Sequence, residues 1–134
     1  MPADQIERNW GWIGQLLRPS IAMGIARSEQ RVRAMLNDGR MGLASIHVPN
    51  GAGLITLEPG EYDGVPALWV PYIYASVKAG PKVWIRTMID VLAHFETKAR
   101  EAGLQEVRIG GRDWSFLPGY EPFDGVLNGR KKVL

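Results

Sequence analysis

The chain has 134 residues, no cysteine, two histidines, and 16 basic against 14 acidic side chains. That length suits one domain, residues 1–134, with a core that needs no disulfide or metal to support it. The lack of cysteine removes disulfides, thiolate zinc sites and cysteine nucleophiles, and a net charge of +2 is too small an imbalance to make a nucleic-acid-binding face.

Asp4 and Glu7 have capping-box spacing, and Ile6, Trp10, Ile13, Leu16 and Leu17 recur at helical spacing. This predicts a first helix over about residues 4–18, interrupted by Pro19. Ser28 is placed to cap a second helix through Val32, Met35 and Leu36, which Asn37-Asp38-Gly39 ends. Met41 to Val48 reads as an apolar strand, Pro49 to Gly53 as its turn, and Leu54 to Leu57 as a short partner strand. Glu58 to Pro66 holds Pro59, Gly60, Gly64 and Pro66 and reads as a loop, whereas Leu68 to Tyr74 is the best strand in the chain. Pro71 inside that strand cannot donate a ladder hydrogen bond, so it marks an edge, a bulge or a splay.

Pro81 is a favoured first-turn residue and Gly103 a favoured stop, and between them runs a long helix. Val83, Trp84, Met88, Val91, Leu92, Phe95 and Ala99 form its buried side, while Lys82, Arg86, Asp90, Glu96, Lys98 and Arg100 mostly face water. Leu104 to Ile109 is then a strand, and Val126 to Leu134 a closing strand weakened or bulged at Gly129. His47 and His94 lie in apolar segments without an acidic pattern nearby, so both read as packed or surface histidines and no metal site is expected.

The order of strand Leu68–Tyr74, turn Ser76-Val77-Lys78-Ala79-Gly80-Pro81-Lys82, long helix and strand Leu104–Ile109 resembles the second half of the GNAT superfamily of N-acetyltransferases. Gly110-Gly111-Arg112-Asp113-Trp114, followed by Leu117-Pro118-Gly119-Tyr120, resembles the Gly-Arg-x-Gly-Trp-x-x-x-Leu-Pro-Gly-Tyr signature of GNAT-like proteins of bacteriophages and prophages. Those proteins also have a Trp-rich first helix, as in Asn9-Trp10-Gly11-Trp12-Ile13. The resemblance implies an α+β fold with two N-terminal helices, a mixed and mostly antiparallel sheet, and one long helix packed on it between two parallel strands. It also implies a central strand that bulges and splays to admit acyl-CoA. In that family a turn of small residues lets backbone N–H groups and a helix start reach the pyrophosphate. The matching residues here are Lys78, Ala79, Gly80 and Lys82, with acetyl-CoA as the cofactor, although Pro81 lacks the N–H of one expected ligand.

Acyl transfer needs a base for the amine and an acid for the leaving thiolate. The family pattern Tyr-x-x-x-Gly-Phe falls on residues 115 to 120, which puts Ser115 at the acid's place and leaves Tyr120 as the catalytic candidate, with Tyr72 and Tyr74 as substitutes. Glu58, Glu61 and Asp63 are the carboxylates that act through water in this scheme. Two functional readings follow from the resemblance. One is a catalytically degenerate phage-type protein, virion-associated or acting in assembly or on the host, which meets other proteins through Trp10, Trp12, Arg112 and Trp114. The alternative is an acyl-CoA-dependent N-acetyltransferase with a degenerate pyrophosphate-binding turn. A purely structural role for Arg112 and Trp114, bonding loop carbonyls and plugging the sheet end, stands beside both. No run approaches the ~20 apolar residues of a membrane helix, and Asp4 and Glu7 stand where an export signal is basic, so a cytoplasmic or virion location is expected.

Overall fold

A computed structural model describes residues 1–24, 27–78 and 80–134. Helices α1 (Ala3–Arg8), α2 (Trp10–Met23) and α3 (Glu29–Asn37) come first. They are followed by β1 (Gly42–Val48), β2 (Gly51–Tyr62), β3 (Val65–Val70) and β4 (Ile73–Val77). The rest is α4 (Pro81–Glu101), β5 (Glu106–Ile109), β6 (Glu121–Pro122) and β7 (Arg130–Val133). Among the described residues the strands lie in the order β1-β2-β3-β5-β7-β6, with β4 also beside β2. β3 and β5 are parallel, joined through α4, and the other pairs are antiparallel. The fold is therefore α+β with N-terminal helices, a mixed and mostly antiparallel sheet and one long helix, the class expected from the sequence.

Strand alternation gives each face of the sheet its own core. Ile46, Ile55, Leu68, Val70, Val107 and Ile109 pack with Met88 and Leu92 of α4. Leu43, Leu54 and Tyr72 pack with Ile13 and Leu17 of α2 and with Val32 and Leu36 of α3.

The first helix departs from its expected shape. It breaks at Asn9 (φ −107°, ψ 9°), and Pro2 takes the N-cap place expected of Asp4, with no side-chain cap. Glu7 instead accepts from Arg33 Nε at 3.0 Å and Asn37 Nδ2 at 2.8 Å, tying α1 to α3. Pro19 does not end α2, which continues to Met23. Buried Leu17 and Ile21 flank it, and together they offset the roughly 3 kcal/mol that an interior proline costs. Ser28 caps α3 as expected, its Oγ accepting from Arg31 N at 3.0 Å.

A second departure lies at Glu58 to Pro66, where composition predicts a loop and the chain forms a hairpin. β2 runs through Pro59 and Gly60 to Tyr62. Asp63 (φ 54°) and Gly64 (φ 78°) make the two-residue turn with both central residues at positive φ. Pro59 is tolerated because β1 ends opposite Leu57 and leaves β2 a free edge there.

β3 and β4 are one strand interrupted by a bulge. Ile55 faces Ile73 while Glu58 faces Trp69, so Thr56 and Leu57 lie opposite Val70, Pro71 and Tyr72. Thr56 repairs the ladder that Pro71 breaks: its N and Oγ1 donate to Tyr72 O at 3.0 and 3.2 Å, and its Oγ1 accepts from Tyr72 N at 3.1 Å. Ser20 Oγ of α2 accepts from Ile73 N at 3.0 Å, which registers the helix against the bulge. Below the bulge, Gly51 and Gly53 let β2 approach β4 so closely that a Cβ at either would collide with the carbonyl oxygen of Ser76 or Tyr74.

Thr56→Val keeps the shape of the side chain and leaves the buried Tyr72 N–H without its acceptor. The expected loss is about 1–3 kcal/mol, read as a lower urea midpoint at unchanged slope. A second prediction concerns pH. The bonds from Arg33 and then Asn37 bring the Glu7 carboxyl down from 4.5 to about 2. A depressed carboxyl contributes its stability above the unfolded value and loses it as pH falls through the folded one. Amide protection factors in α1 should therefore fall between pH 4.5 and about 2, and Glu7→Gln should flatten that dependence.

Candidate functional site

Past the bulge the two halves of the sheet part. β3 and β5 pair from Ala67 opposite Glu106 to Val70 opposite Ile109, and Gly110 N still donates to Val70 O at 3.1 Å. Beyond that, β4 follows β2, and the chain leaving β5 turns at Gly111 (φ 81°), whose bare Cα packs on Ser20 Oγ and Pro71 O. The gap is a cleft of about 330 Å³, lined among others by Leu16, Pro19 and Met23 of α2, Tyr74 and Ala75 of β4, and Arg112. Lys78 N donates to Asn50 O at 2.7 Å, and from that pair the antiparallel alternation points the backbone groups of Tyr74 and Ser76 at β2. Those of Ile73 and Ala75 point into the cleft, where Ser20 Oγ takes the N–H of Ile73.

The turn after β4 leads into α4 with Gly80 (φ 93°) as N-cap and Pro81 at the first helical position. No side chain caps this end and no acid sits in its first turn, so the positive end of the helix is uncompensated. Lys78 and Lys82 are exposed on either side of Gly80. Ala79, the fourth residue expected at this turn, lies outside the described residues.

A second groove, of about 320 Å³, opens beside α4 and is lined by Pro81, Trp84, Ile85, Arg112 and Phe116. Arg112 thus borders both spaces. Its guanidinium lies 4.0 Å from the centroid of the Trp84 ring and 5.4 Å from that of Trp114. Trp84 and Trp114 stack at 6.3 Å and 18°, and Phe116 meets Trp84 edge-on.

The four residues expected to form a partner surface divide. Trp114 is only 1% exposed and donates its indole N–H to Gly110 O at 2.8 Å, so it is a core residue and offers no surface. Trp10 is half-buried beneath the Arg33 guanidinium. Trp12 is 45% exposed and donates to Asn9 Oδ1 at 3.0 Å. With Leu16, Pro19 and Met23 it makes a stripe along one side of α2 that ends at the cleft.

Tyr120 lies elsewhere. Its hydroxyl donates to Glu96 Oε2 at 2.9 Å, and Lys132 Nζ donates to Glu96 Oε1 at 2.8 Å. Burial, followed by the adjacent carboxylate, pushes the phenol well above its ordinary value. Glu96 sits more than three turns, roughly 18 Å, along α4 from Trp84, so Tyr120 is far from the cleft. Glu96 itself is buried by this network, where helical periodicity places it facing water. Of the carboxylates considered as bases, Glu58 is held by Arg27 at 2.9 and 3.1 Å, Asp63 by Arg108 at 2.9 Å, and Glu61 is exposed. Tyr74 and Asp113 supply the phenol and the carboxyl that line the cleft. The backbone N–H of Ser115 holds Asp113 below the usual carboxylate range.

Sequence reasoning missed Ser20, for which a lone serine in a helix gives no signal, and it left Tyr74 as one of three tyrosines. Among the described residues no group of three or more His, Asp or Glu is arranged to hold a metal ion, and no helix is long and apolar enough to cross a membrane. No protein-family model, curated protein or solved structure matches the chain. The topology itself, a mixed sheet with flanking helices and a bulged central strand, is loosely compatible with a GNAT-like arrangement.

Tyr120→Phe should lower the free energy of unfolding by about 1–3 kcal/mol in urea titration, because the Glu96 carboxylate loses a buried donor. Binding at the cleft should be unchanged by that variant.

Proposed function

We propose that the chain binds an acyl-CoA in the cleft between β4 and the segment after β5, and transfers the acyl group to an amine. The observation that carries this reading is the bulge at Pro71-Tyr72, which detaches β4 from β5 and turns the backbone edge of Ala75 to an open space. An extended ligand with amide groups, such as a pantetheine arm, matches an unpaired strand edge between apolar walls. The phosphate end of such a ligand would reach the uncapped start of α4, where Lys78, Gly80 and Lys82 carry the charge and the close approach.

A bound thioester supplies the activated carbonyl. Tyr74 gives its hydroxyl proton to the departing sulfur as the C–S bond breaks and the C–N bond forms. Water accepts the proton shed by the amine nitrogen and restores the Tyr74 hydroxyl. The second reading is a phage-type binding protein without turnover, favoured by the exposed stripe of Trp12 and Met23 (45% and 42%).

Titration calorimetry with acetyl-CoA and desulfo-CoA decides between them. The acyl-CoA reading expects saturable binding in the ~10–100 μM range that Lys82→Glu weakens. It further expects Tyr74→Phe to lower turnover of a small amine by about 10²-fold or more at unchanged affinity. No heat with either ligand overturns it and leaves the Trp12 stripe as the surface to mutate.

A further inference from the structure

Two other arginines that reach the interior are closed by carboxylates, Arg27 by Glu58 and Arg108 by Glu106 and Asp63, and the half-buried Arg130 donates to Tyr120 O at 3.3 Å. Arg112 is not so closed. Its Nε is buried with no hydrogen-bond partner among the described residues. Asp113, its neighbour in sequence, turns its carboxylate to Ser115 N at 2.9 Å. A half-buried guanidinium without a bonded anion is unfavourable: burial lowers its pKa from the ordinary value, and the nearby Asp113 charge opposes that shift without cancelling it. The Trp84 ring lies against the guanidinium, 4.0 Å from its carbon to the ring centroid, but a ring face accepts no hydrogen bond along the fork's edge.

Arg112 is also the side chain shared by the cleft and the groove beside α4, and Asp113 is a carboxylate that borders the cleft alone. At the adjoining helix start Pro81 has withdrawn a backbone donor. We infer that Arg112 is an anion anchor of the cleft, its planar fork taking the phosphate oxygens of the bound ligand in place of the donor that Pro81 removes. This assignment rests on the acyl-CoA reading and adds a side-chain ligand to the backbone turn. A guanidinium pre-oriented on a ring meets two oxygens of one phosphate at once, which a lysine does not.

The test compares wild type, Arg112→Gln and Arg112→Lys by titration with desulfo-CoA at several salt concentrations, with circular dichroism to confirm the fold. Arg112→Gln should weaken binding by roughly ten- to a hundredfold and flatten its salt dependence, and Arg112→Lys should fall between. Equal affinity in wild type and Arg112→Gln overturns the anchor and leaves the acyl-CoA reading in place. Weaker binding at an unchanged salt slope points to damage in the cleft and also overturns the anchor. If Arg112→Gln does not fold, Arg112→Lys decides, with unchanged affinity as the contrary result. No binding by wild type overturns the acyl-CoA reading, and the anchor with it.

Discussion

The Thr56 hydroxyl bridges both backbone groups of Tyr72, and so lets the central strand carry one residue more than its neighbour. A proline at that point removes a ladder donor, and an extra residue leaves backbone groups facing the interior. Either would be costly in a buried strand without a side chain to take up the difference. With Thr56 on one side and Ser20 on the other, the irregularity is stable enough to divide the sheet: β3 stays with β5, and β4 goes with β2. The cleft, the open edge of β4 and the position of α2 all follow from that division.

The two cores meet at the same place. Tyr72 belongs to the core under α2 and α3, and Ile73, the next residue, to the core under α4. The segment after β5 then folds over the start of α4, where Trp84, Trp114 and Phe116 form an aromatic platform. The tryptophans on that platform are scaffold, and what they hold in place is a charge. This is a different use of aromatic residues from Trp12, which faces water on α2.

How much of this was legible in the sequence depended on how local the cause was. Pro71 announced the break in the central strand, Gly80-Pro81 the start of the long helix, and Ser28 its own cap, because each acts on the backbone within a few residues. Pro59 and Gly60 misled for the same reason: they read as a loop, whereas the absence of β1 beyond Leu57 made an edge strand in which a proline is harmless. Glu96 looked solvent-facing by helical periodicity and is buried because Tyr120 and Lys132, from the far end of the chain, close over it. The setting of Arg112 was not legible at all. Its motif was visible, but the ring beneath it comes from α4, and only the folded chain shows that no carboxylate among the described residues bonds to it.

The close passage of β2 against β4 has a mechanical side. Gly51 and Gly53 sit where any side chain would strike a carbonyl oxygen of the adjoining strand. A methyl group at either position would press β4 away from β2, into the space that borders its other edge. The width of the opening is therefore set from behind, by two side chains that the neighbouring strand does not have.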